Sequence, residues 1–232
     1  MKKIEDITVD IDRVQKLSGQ MFSKEQWSVT ENVQSIKRIG NHYQGAMQAT
    51  KNNWVASSMS TAIQLVCDNA HDSGTVLIAF HFLSGKLDAQ KMLFHYLFGK
   101  GEEVEVNTAR VLDTDSKLKI FIYEGIWAAL AKGRPSGSVH VQQFNYGNHN
   151  WHYAFGAVNI PWIKLGQRIE LWIKDDYKWH PDEKRLDQCL HRAMTIAIPY
   201  GARHFDYHGS KMTISPEALY ASLNKALPWK YR

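Results

Sequence analysis

Two cysteines in 232 residues are too few to staple a fold of this size. Cys67 and Cys189 stand far apart and in no C-x-x-C or Cys/His spacing, which argues against a structural zinc and leaves buried thiols as the expectation. Long apolar runs are also missing, and none approaches the roughly 20 residues of a membrane-spanning helix. The opening MKKIEDITVDIDRVQKL puts acidic residues where a signal peptide needs an apolar core. We therefore expect synthesis in the cytoplasm without a cleaved leader, and no transmembrane segment. Charge of one sign is nowhere concentrated. The net +5 is spread along the chain with no basic run, so no nucleic-acid partner is expected. Internal repeats and low-complexity linkers are absent as well.

What is present is an ordinary globular balance, 44% hydrophobic and 22% charged, with many aromatics: eight Trp, ten Tyr and nine Phe. Such a load serves a broad surface, a deep cleft or an aromatic-rich core. The most informative stretch runs from Arg168 to Met194. Ile169, Leu171 and Ile173 alternate with polar residues as in a half-buried strand that ends at Asp175, Asp176 and Tyr177. After Trp179-His180-Pro181 the period changes. Leu186, Cys189, Leu190, Ala193, Met194 and Ala197 fall on one face of a helix, with Pro181, Asp182 and Glu183 at its start.

Residues 1–50 are polar and weakly patterned, and predict short helices, loops or an arm. Helical spacing follows from Trp54 to Val66. Val76–Leu83 is a continuous apolar run that fits either a strand or a buried helix, with His81 as a core histidine. Leu87–Phe98 predicts a deeply buried helix stopped at Gly99-Lys100-Gly101, whose G-x-G lacks the context of a phosphate loop. Glu103–Asn107 predicts a strand and Lys117–Lys132 a helix. Val139–Phe144, Trp151–Val158 and Arg168–Lys174 then predict consecutive antiparallel strands, with turns at Tyr146–Asn150 and Lys164–Gln167. A last strand is expected around Lys211–Ile214, and Ser215-Pro216 opens a final helix. His204, Asp206 and His208 share one face of an extended segment, but no third ligand stands at metal-site spacing, so the segment reads as an exposed hairpin. Helices followed by a meander and a packed helix make an α+β domain.

This order of elements resembles the activity domain of colicin M-type bacteriocins. The likeness is carried by LSGKLDAQKMLFHYLFGKGEEVEVN, the internal helix, the aromatic segment with Ala154-Phe155-Gly156, the strand into DDYKW, the helix with Arg185 and the closing GSKMTI. It implies a boundary near residue 83: a mostly helical region over 1–82, and a colicin M-like domain over 83–232 with an antiparallel, half-barrel-like sheet and packed helices. Those enzymes cleave the cell-wall precursor lipid II between the polyprenyl carrier and its pyrophosphate. Their site is a strand-end D-x-Y-D followed by His-Arg on the next helix. Asp175, Tyr177 and Arg185 match it, whereas Lys178 stands at the second aspartate and Lys184 at the histidine.

The resemblance thus implies an antibacterial toxin that hydrolyses a polyprenyl-pyrophosphate phosphoester and blocks peptidoglycan synthesis. Asp175 and Asp176 would hold Mg²⁺, a cation that prefers oxygen ligands. Arg185 and Lys184 would contact pyrophosphate oxygens, and His180 or His191 would replace the missing histidine in proton transfer. Tyr177 completes the set. Delivery to the periplasm of a target bacterium, with an immunity or secretion-carrier protein as partner, goes with that reading. The alternative is a catalytically inactive member of the same fold that serves as a binding, adaptor or immunity-like protein, a reading that Lys178 and Lys184 favour.

Overall fold

The computed structural model describes residues 1–24, 76, 79–80, 83, 85–177 and 194–227. The expected helix from Trp54, both cysteines, His81, Lys178, His180, Lys184, Arg185 and His191 lie outside them. So does all but the last turn of the helix expected from Leu186, residues 194–197, which is helical.

The fold is α+β, and the described residues form an eight-stranded mixed sheet. The strands are β1 (Lys2–Lys3), β2 (Val104–Val106), β3 (Ser136–Val141), β4 (Val158–Leu165), β5 (Arg168–Leu171), β6 (Lys174–Tyr177), β7 (Phe205–Gly209) and β8 (Met212–Ile214). Their order is β1-β2-β7-β6-β4-β5-β8, and β3 pairs with β4. From β3 to β8 the pairings are antiparallel. The expected antiparallel sheet is extended, however, by two parallel pairings, β1 with β2 and β2 with β7. The segment expected to be an exposed hairpin is therefore β7, an internal strand held between β2 and β6. Its alternation of buried Phe205 and Tyr207 with polar Asp206 and His208 is what places it there.

The helices are α1 (Ile11–Lys24), α2 (Leu87–Phe98), α3 (Thr108–Thr114), α4 (Ser116–Ala131), α5 (His149–Phe155) and α6 (Pro216–Ala226). Short polar side chains start four of them. Asn107 accepts from the Arg110 amide, Asp115 from Leu118, Asn148 from Asn150 and Ser215 from Ala218. Helix α1 is one of the short helices expected over residues 1–50: Val14, Leu17, Ser18 and Met21 are buried at i, i+3, i+4 and i+7. Within the apolar run before α2, Val76, Ala79 and Phe80 are helical and buried. Helix α5 overturns the strand expected over Trp151–Val158. The alternating aromatics suggested a period of two, but Trp151, Ala154 and Phe155 form the buried face at helical spacing. The strand begins only at Val158.

One core unites the elements. Ile4, Ile7 and α1 pack with α2, and the inward side chains of the sheet, among them Val104, Tyr207, Tyr177, Ile160 and Leu171, join the same cluster. Helix α4 packs against β3, and α6 against α4, where Trp127 and Tyr220 rings lie 5.0 Å apart. At the end of β7, the Gly209 amide donates to Ile173 O at 2.7 Å, and a Cβ there would sit 2.7 Å from Ile173 N and against the Thr108 hydroxyl. Gly209→Ala should lower stability by about 1–3 kcal/mol through overpacking. A urea midpoint equal to the wild type would contradict this.

Candidate functional site

Strand β6 carries Lys174, Asp175, Asp176 and Tyr177, and its pleat sends alternate residues to opposite faces. Tyr177 faces the core, stacked on Phe205 with centroids 5.0 Å apart at 17°. Lys174 and Asp176 face outward. Their partners across β7 are His208 and Asp206, and on the other side Lys174 pairs with Asn159 of β4. Asp175 is paired with the buried Tyr207. It nevertheless reaches the surface, because its Oδ1 turns back to accept from the Asp176 amide at 2.9 Å.

The result is an open cleft of about 340 Å³ lined by Ser138, Asn159, Lys174, Asp175, Asp176, Asp206 and His208, with Pro161 at its rim. Partial burial pushes the Asp175 carboxyl above the usual carboxylate range. The charge of Asp176 adds to the rise, while hydrogen bonds from the Asp176 and Asn159 backbone oppose it. Beneath, burial raises the Tyr207 phenol well above its ordinary value, with Tyr146 and the two aspartates contributing. The Tyr146 hydroxyl is buried without a hydrogen-bond partner among the described residues.

Beside the cleft lies a second grouping. Strand β2 runs parallel to β7 with Val104 opposite Tyr207, so Glu103, one residue earlier, falls beside Asp206. Carboxylate oxygens of Glu103 and Asp206 and a ring nitrogen of His208 lie within 4.8 Å of one another. Across neighbouring strands the outward face thus aligns the carboxylates of Glu103, Asp206 and Asp176.

Of the residues expected at the site, Asp175 and Asp176 line one cleft and Tyr177 packs behind it; His180, Lys184 and Arg185 fall outside the described residues. Two oxygen ligands on an open cleft suit Mg²⁺, which binds through one or two carboxylates and keeps several waters. Lys174, Asn159 and Glu103 were not singled out by the sequence. The D-x-H alternation at Asp206 and His208 was the available signal, and its third member lies about a hundred residues away. Compared with known proteins, the chain matches no family model, no curated sequence and no solved structure.

Proposed function

We propose that the chain is a phosphoester hydrolase of polyprenyl-pyrophosphate carriers, an antibacterial effector of the colicin M type acting on lipid II. The observation that supports it is the cleft. It gathers Asp175 and Asp176 with a cation, Lys174, and it adds a carboxylate and an imidazole, Asp206 and His208, the two group types that Lys178 and Lys184 replace.

The reaction needs charge neutralisation on the phosphates and a group that takes a proton from the attacking water. Lys174 faces the cleft to meet phosphate oxygens. His180 or His191 takes the proton as water forms a bond to phosphorus. The bond from phosphorus to the polyprenyl oxygen breaks, and that oxygen leaves as an alcohol after receiving from the same histidine the proton taken from the water. Asp175 and Asp176 would hold Mg²⁺, and the ion when bound would neutralise phosphate charge. Action in the periplasm of a target cell, with an immunity or carrier protein as partner, belongs to the same reading, as does a half-barrel-like, colicin M-like form of the sheet.

Purified protein incubated with lipid II and Mg²⁺ should release polyprenol, and Asp175→Ala should reduce release by about a hundredfold or more. Release unchanged in the variant would remove Asp175 from the mechanism. A folded wild type that releases nothing would overturn the hydrolase and leave the inactive binding protein, with a stoichiometric partner as its signature.

A further inference from the structure

We infer that Glu103, Asp206 and His208 form a site for a divalent transition-metal ion of the zinc and manganese class. The inference goes beyond the hydrolase reading and does not depend on it, since the ion is measured without substrate.

The ligand atoms come from β7 and from the residue before β2, and the parallel backbone pairing of those strands fixes their spacing. A pre-set backbone lowers the cost of gathering three ligands. Asp206 and His208 are two residues apart on one strand, so both project from the same face. Among the described residues, none of the three side chains forms a hydrogen bond or an ion pair, although the ligand atoms are within 4.8 Å of one another. Zinc bonds of about 2.0–2.2 Å place tetrahedral ligands about 3.3–3.6 Å apart, so a small side-chain adjustment closes the set.

The donor types choose the metal. One imidazole with two carboxylates favours zinc and its neighbours, whereas Mg²⁺ and Ca²⁺ favour oxygen alone. Three protein ligands on an exposed face leave a position for water or substrate, the pattern of a catalytic rather than a closed structural site. Charge agrees. Glu103 and Asp206 lie side by side across β2 and β7, and a divalent ion removes the repulsion between them. His208 and Asp206 also line the cleft of Asp175 and Asp176, so an ion here would border that cavity.

The test is equilibrium dialysis of the full chain, freed of metal by chelation, against Zn²⁺ and separately Mn²⁺, with excess Mg²⁺ present. One equivalent should bind. Glu103→Gln and His208→Ala should each weaken binding by more than about tenfold, because even the outer partners of a metal ligand are worth 10–100-fold. Glu103 and Asp206 are exposed and His208 is half-buried, and circular dichroism checks that the variants remain folded. A double His149→Ala, His152→Ala variant should bind like the wild type, separating this site from the histidine ring pair on α5. Failure to bind either ion, binding that survives both ligand substitutions, or displacement by Mg²⁺ would overturn the inference. Lipid II cleavage bears on none of these outcomes.

Discussion

Trp151→Ala should cost about 3–5 kcal/mol of stability, the largest loss expected of any single substitution considered for this protein. The indole is 1% exposed and stacks on Phe155 at 5.4 Å with the planes 3° apart. Its N–H donates to the Thr114 hydroxyl at 2.8 Å, and the Arg110 guanidinium lies 5.2 Å from the ring centre. Arg110 in turn donates to both oxygens of the buried Asp88 carboxylate, at 3.1 and 2.9 Å. Asn150 reaches the same carboxylate and also accepts from the Asp88 and Ala89 amides at the start of α2. Truncation therefore opens a cavity where α2, α3 and α5 meet. Trp151→Phe keeps most of the apolar volume and removes only the donor, so it should lose less than half as much. Urea unfolding of both variants measures the difference, and equal midpoints for wild type and alanine would refute the packing argument.

Asp115→Ala should cost about 3–4 kcal/mol, for a different reason. The carboxylate is 2% exposed and accepts from Leu118 N at 3.0 Å, from Gly147 N at 3.0 Å and from Asn148 N at 2.9 Å. It thus caps α4 and pins the segment that enters α5. Hydrogen bonds to a charged acceptor are worth about 1.5–3 kcal/mol each and do not simply add, while the buried Leu118 amide, left unpaired, adds its desolvation cost. Gly147 makes the approach possible, since a Cβ there would lie 3.0 Å from the Asp115 Oδ1 atom. Asp115→Asn keeps one acceptor oxygen and should recover part of the loss. Amide exchange gives a local check. The Gly147 and Asn148 amides should exchange much faster in Asp115→Ala, and protection unchanged at both would rule the anchor out.

Local patterns in the sequence carried the helices well where burial and capping agreed. Leu87–Phe98 is α2 at both ends, and Ser215-Pro216 opens α6 with the expected cap. Sequence misled where two periods overlap. In Trp151-His152-Tyr153-Ala154-Phe155 the aromatics alternate as on a strand while the buried set has helical spacing, and the Asn148 cap decided the matter. The extended segment that carries Asp175 and Asp176 was legible from the alternation that begins at Ile169, though it is divided into β5 and β6 at Trp172-Ile173 and the two aspartates lie inside β6. Its facing wall was not legible. Which strand lies beside β6 depends on pairing with β7, about thirty residues later, and the next strand over, β2, pairs in parallel with β7 from about a hundred residues before it. No local period encodes such a register, and so Glu103 could not be recognised as the third member beside Asp206 and His208.

The position of β7 also sets an order of events during synthesis. β1 and β2 belong to the first half of the chain and β3 to β6 follow, yet among the described strands only β7 joins the two groups into one sheet. Until Phe205–Gly209 has left the ribosome, β2 and β6 each present an open edge of unpaired amides and carbonyls. The contacts that close this gap span about a hundred residues, and separations of that length slow folding. The emerging chain therefore carries the open edge of β2 from the middle of its translation and that of β6 only between residues 177 and 205, and the strand that protects them is the one that completes the cleft.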